Sequence, residues 1–240
     1  ALECEVCEDW SIDKAEKVII DWFLEGISNS PDAEECIFAQ IGDFLHFDSI
    51  EAITPTSKHL LDTDTRFTML VRVAIRVIDK IISMLLTKYK KVTVILAEGN
   101  HDISSSIWIR ENFAQRFIEN PRVNIDDTAH PYYCYTFGQT LLFYHHAHKR
   151  RMKDLDSTLV AYYKDEFGKS KHVYGHTGHL HHERVIESNL MTIEQHPTLS
   201  TQDAHSKREG YSSKRSSKII TYHKDFGEVA RLTINPEMLK

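Results

Sequence analysis

Between residues 67 and 102 a long helical stripe runs into a buried strand, and no other stretch narrows the fold as much. Phe67, Leu70, Val71, Ala74, Ile75, Ile78, Ile81, Ile82 and Leu85 recur at the three- and four-residue spacing of one apolar helix face. "KVTVILAEGNHD" (91–102) follows, β-branched and apolar until it breaks off in Gly and polar residues, as a buried strand ends in a loop. The same order occurs upstream. Ala15, Val18, Ile19, Trp22 and Phe23 predict a first helix, with Asp13 and Glu16 as a capping arrangement at its start and Gly26 near its end. The short apolar run "CIFAQIGD" (36–43) then reads as a strand. Helix, strand, helix, strand implies parallel pairing.

The second half has another character. A helix near 104–118 stops before Asn120-Pro121, and short strands follow around Val123, "YYCYTFG", "TLLFYHH", "HVYGH", "RVIES" with "LMTIE", and a closing pair "KIITYH" and "EVARLTI" around "KDFG". These predict a second sheet, largely antiparallel, packed on the first, with helices outside. The 240 residues read as one domain, 1–240, with 203–217 as its flexible basic loop.

Composition removes several classes of function. The most apolar stretch is interrupted by Arg72, Arg76, Asp79 and Lys80, so it is an amphipathic helix and not a bilayer span, and the start carries no signal-peptide pattern. Cys36 and Cys134 fall in apolar strands, a usage that fits a reducing cytoplasm. Cys4 and Cys7 have the spacing of half a zinc site, but no second pair follows, and they read as ordinary thiols. A formal charge of −6 argues against a general nucleic-acid coat protein. Two local basic tracks stand out against it: "HKRRMK" (148–153), with Lys149, Arg150 and Arg151, and "SKREGYSSKRSSK" (206–218), with Lys214 and Arg215. Such runs are usually solvated faces, and as a nucleic-acid contact they are the candidates.

"VYGHTGHLHHE" (173–183) places four histidines in eleven positions. A histidine-rich surface loop would give the same letters. What separates the readings is whether other strands end in metal-type ligands, because a metal site is assembled from distant segments. They do: "QIGDFLH" offers Asp43 and His46, "AEGNHD" offers Asn100, His101 and Asp102, and "LLFYHHAH" offers His145, His146 and His148. Ligands in sheet proteins collect beyond the strand ends, so four such junctions point to one shared site.

In chain order, "GDFLH", "GNHD", the strand-terminal His of "FYHHA" and "GHLH" resemble the motifs of the calcineurin-like metallophosphoesterases. The form of the first two is similar to the branch containing DNA double-strand-break repair nucleases and their phage-encoded relatives. The match runs from about Gly42 to His181. It implies an α/β fold, the four-layer αββα sandwich with a two-metal centre, in a bacterial or phage-infected cell. Asp43 would bridge both metals; Asn100, His146 and His179 would complete one, and His181 would bind the other. His101 would protonate the leaving oxygen, and His46 would help position the scissile group. His146 is preferred over His145 because the family places this ligand just before a small residue, here Ala147.

Two cations about 4 Å apart clamp a phosphodiester, and mixed oxygen and imidazole ligands suit Mn²⁺, Fe²⁺ or Zn²⁺. Mn²⁺ is the first choice. The family also opens with a D-x-H motif on its first strand, and no D-x-H precedes Gly42 here. That strand is therefore expected to be missing from this sequence, leaving one metal site complete and the other with Asp43 and His181 alone. The function expected is a metal-dependent DNA phosphodiesterase. Alternatives are a phosphatase or phosphodiesterase for small nucleotides or phosphoproteins, and a non-catalytic scaffold holding one metal. The resemblance also brings a homodimer or an ATPase subunit as partner; no residue identifies such an interface.

Overall fold

The computed structural model describes residues 10–56, 58, 60, 66–201 and 214–239. Ser11 opens the first helix, its hydroxyl accepting the Lys14 N–H at 3.3 Å, and α1 runs from Ile12–Asn29. The start therefore lies two residues before the expected Asp13. Glu16, the other half of that expected cap, instead pairs with Arg76 on α2 (Phe67–Lys88). Gly26 does not end the helix. It sits where a Cβ would come within 2.5 Å of Ile219, so it serves close packing against a neighbouring strand. Cys4, Cys7 and most of the 203–217 loop lie outside the described residues.

Two helix–strand units build the first sheet as the stripe predicts. β1 (Glu35–Gln40), β2 (Lys91–Leu96) and β3 (Val123–Ile125) lie in that order, all parallel, with α3 (Ile103–Arg116) joining the last two. Alternation along these strands sorts their side chains. Phe38, Val92, Val94 and Leu96 join Ile20 of α1, Leu70, Val77 and Ile81 of α2, and Phe113 of α3 in one apolar layer. Ile37, Ala39 and Ile95 face the other way, against Tyr133, Leu142 and Tyr144 of the second sheet.

That second sheet has the order β4 (Tyr133–Phe137), β5 (Thr140–His145), β6 (His172–Thr177), β8 (Thr192–Gln195), β7 (Arg184–Glu187). It is not largely antiparallel: β5 and β6 are parallel, as are β6 and β8, and only the outer pairs are antiparallel. The reason is the connection between β5 and β6. It contains α4 (Leu155–Tyr162) and α5 (Lys164–Lys169), and a helical crossover returns the chain in the same direction. Leu155 and Leu159 of α4 cover the outer face of the sheet at Leu141, Phe143 and Ile193. The closing strands β9 (Ser217–His223) and β10 (Gly227–Ile234) form a separate antiparallel hairpin, so the described residues hold three sheets where two are expected.

Among the described residues β1 pairs only with β2, and β9 only with β10. Their other edges face a shared cavity of about 710 Å³, roofed by Trp22 and Phe23 and floored by Leu142 and Tyr144. No described helix is long and apolar enough to cross a membrane.

The loop after β1 is tied to the start of α3 by Asp48. Its carboxylate accepts the Ser104 N–H at 2.6 Å and the Ser105 N–H at 2.8 Å, capping a helix to which it does not belong. Asp48→Ala leaves both N–H groups without that partner and is expected to lower the unfolding free energy by about 1–2 kcal/mol. Urea denaturation checks this, and Asp48→Asn should recover part of the loss.

Candidate metal centre

Four parallel strands deliver their C-terminal ends to one place. Gln40 pairs with Leu96 at the end of β1 and β2, and His145 pairs with Thr177 at the end of β5 and β6. The loops that leave these ends carry Asp43, Asn100, His146 and His179. One ligand atom from each of Asp43, His146 and His179 lies within 4.8 Å of the others, and the Asn100 amide oxygen is 3.2 Å from His146 Nε2. The structure thus gathers the whole set expected for one cation. His181 lines the same end of the cavity but stands outside this cluster, and it is exposed.

The backbone is strained where these groups meet. Five described non-glycine residues adopt left-handed φ values, and Asp43 (52°), His179 (77°) and His181 (56°) are three of them. A fourth, Ala147 at 76°, directly follows His146. Two glycines remove obstacles. A Cβ on Gly99 would lie 2.0 Å from Asp43 Oδ1, and one on Gly42, at φ 84°, would lie 2.4 Å from His146 Nδ1.

Hydrogen bonding fixes what His146 presents. Its Nδ1 is 2.6 Å from the Ile41 carbonyl oxygen, which can only accept, so Nδ1 carries the proton. Nε2 of the neutral ring is then a bare lone pair, aimed at Asp43 Oδ2 at 2.9 Å and at Asn100 Oδ1 at 3.2 Å. Three acceptors converge on one point, buried, and only a proton or a metal cation between them makes the arrangement favourable. Without a metal the proton goes there. Burial disfavours a charged His146, yet the Asp43 carboxylate outweighs it and raises the imidazole pKa. Burial would likewise raise the Asp43 carboxyl, but His146, helped by His101, holds it well below the usual carboxylate range. His179 is shifted down by burial and by the charge of His146, so it stays neutral and ready to ligate. These donors, one carboxylate, one amide oxygen and two imidazoles, fit a first-row divalent cation.

His101 and His46 stand beside this point. The His101 N–H donates to Asp43 Oδ1 at 2.9 Å, and its ring lies parallel to that of His46 with centroids 5.0 Å apart. Its Nδ1 meets the His46 carbonyl oxygen at 3.0 Å, which places the proton on Nδ1 and leaves Nε2 as the exchangeable nitrogen.

Asp102 is a ligand-type residue with a different task. It is 1% exposed, and its oxygens accept the N–H groups of Phe44 (2.7 Å), Leu45 (3.1 Å) and Gly99 (3.0 Å). It locks the Asp43 loop to the Asn100 loop. Burial and the nearby Asp43 charge push its carboxyl up to about 6. Neither this clamp nor the need for glycine at position 99 carries a signal in the sequence alone.

A second cluster, His176, Glu194 and His196, has metal-like spacing but the wrong charge balance. Lys218 and Arg231 already neutralise Glu194, and His176 donates or accepts within a closed chain to His196 (2.9 Å) and Tyr222 (2.9 Å). A cation there would face two fixed positive charges. Cys36 and Cys134 are free thiols whose ionisation burial pushes up to about 12, so neither is a ready ligand.

Of the basic residues, Lys149, Arg150 and Arg151 are exposed on the loop just beyond His146. Lys214 is exposed on the stretch leading into β9. Arg215 is partly buried: its guanidinium donates to the Leu199 carbonyl at 2.6 and 2.9 Å and lies over the Trp10 ring at 5.1 Å. The chain matches no protein-family model and no curated protein.

Gly99→Ala is expected to lower Mn²⁺ affinity by about 10- to 100-fold, the range seen when ligands lose their orientation. Gly168→Ala, whose Cβ would meet nothing within 4 Å, is the control and should bind as the unaltered chain does. Calorimetric titration of both variants checks this.

Proposed function

We propose that this chain is a metal-dependent phosphodiesterase acting on DNA, of the calcineurin-like metallophosphoesterase type. The observation that carries the reading is the convergence of His146 Nε2, Asp43 Oδ2 and Asn100 Oδ1 on one buried point beside His101. A divalent cation held there, Mn²⁺ by first choice with Fe²⁺ or Zn²⁺ as alternatives, would supply Lewis-acid polarisation of a phosphoryl oxygen. Asp43 turns one oxygen to this point and anchors His101 with the other, so the ligand set and the proton donor share one support. As the imidazolium, protonated on both nitrogens, His101 would give its Nε2 proton to the leaving oxygen and keep the Nδ1 proton on the His46 carbonyl, its ring stacked on that of His46.

The layering supports the four-layer sandwich. Helices α1 to α3, the first sheet, the second sheet and α4 succeed one another through three apolar layers.

Lys149, Arg150 and Arg151 favour a polymeric phosphate substrate over a compact one, since three exposed cations follow His146 within five residues of chain. His101→Ala should retain the cation and lose turnover of single- or double-stranded DNA and of a chromogenic phosphodiester, by about 100-fold or more. Loss of the cation in that variant would contradict the assigned role. Neutralising Lys149, Arg150 and Arg151 together should weaken DNA binding and flatten its salt dependence, the slope falling by about 0.9 for each phosphate no longer neutralised, with small-diester hydrolysis unchanged. Equal loss on both substrates would point to a folding defect instead and would remove these three residues as the DNA contact.

A further inference from the structure

His148 is an imidazole beside this centre that the proposed chemistry leaves unused. The left-handed turn at Ala147 brings its ring to 5.3 Å from His146 and 6.5 Å from His179, centroid to centroid, with His145 stacked behind it at 6.0 Å. Only 7% of its side chain is exposed. Neither Nδ1 nor Nε2 has a hydrogen-bond partner among the described residues. The Glu98 carboxylate lies close by, its Oε1 3.9 Å from Nε2, just beyond a direct hydrogen bond. Glu98 immediately precedes Gly99 and Asn100.

A side chain that only filled space between His146 and His179 would be apolar, because burying two unpaired ring nitrogens is costly where a carbon ring of the same shape is not. His148 also lies outside the group of atoms close enough to share one cation, so it is not itself a ligand. We propose that Glu98 and His148 form a positioning pair for the cation: Nε2–H donates a hydrogen bond to the carboxylate, directly or through one water, and the ring so fixed holds His146 and His179 in their ligating orientation. A carboxylate behind an imidazole behind the ligands is how metal centres in general set ligand geometry. This inference rests on the metal reading of the centre and names two residues that reading does not require.

The test is Mn²⁺ titration by calorimetry together with urea denaturation of the metal-free chain, for His148→Phe, Glu98→Gln and the double variant. Phe keeps the ring's bulk and removes both nitrogens; Gln keeps the shape of Glu98 and removes its charge. The pair predicts that each single variant loses about tenfold in Mn²⁺ affinity and that the double variant is no weaker than the worse single one. It also predicts that metal-free His148→Phe is at least as stable as the parent. Wild-type affinity in both single variants would overturn the positioning role while leaving the metal centre intact. Parent chain that binds no Mn²⁺ would overturn the metal reading and this inference with it.

Discussion

The hydrogen bond from His146 Nδ1 to the Ile41 carbonyl is the constraint on which the centre depends. It decides which nitrogen is protonated, and so turns a lone pair toward a carboxylate and an amide oxygen that also only accept. A folded chain holds such an arrangement only if something positive belongs between the three. Much of the surrounding structure serves to keep it in place. Gly42 lets the Ile41 loop pass close to the ring, Gly99 lets the Asn100 loop pass close to Asp43, and Asp102 binds the two loops together through three backbone N–H groups.

The contrast with the His176, Glu194 and His196 cluster clarifies what marks a cation site. Both clusters are buried and rich in imidazole. In the second, Lys218 and Arg231 supply the positive charge from within the chain, Tyr222 and His196 satisfy His176, and burial holds His176 and His196 down at about 3 and about 4. That network pins the β9–β10 hairpin to the five-stranded sheet. In the first cluster no fixed cation approaches Asp43 among the described residues; its compensation comes from His146, which a metal can replace.

The fold was largely legible because its helices and strands carry strong periodicity: the α2 stripe and the apolar β2 run state their own structure. The direction of β6 was not legible, since it depends on α4 and α5, short helices whose pattern is weak and which lie in a stretch dominated by charge. The start of α1 was misplaced because Asp13 and Ser11 are both good caps, and only the geometry chooses Ser11. At the centre, residue type and strand-end position brought forward the four junctions, and the motif resemblance picked Asp43, Asn100, His146 and His179 from them. What the letters could not carry was relational: that Asp102 binds backbone N–H groups, that Arg215 donates to Leu199 and lies over Trp10, and that Asp43 and His179 are left-handed.

Titration of Mn²⁺ into the chain in buffers of different ionisation enthalpy tests the central claim most directly. His146 has a raised pKa in the metal-free protein, so below that pKa a proton occupies Nε2 and must leave when the cation binds. The account predicts binding of an ion at this centre with release of roughly one proton, and an affinity that rises by about tenfold per pH unit until His146 is neutral and then levels off. His146→Ala should abolish both the tight binding and the proton release. Binding without proton release at low pH, or binding that survives His146→Ala undiminished, would contradict the account.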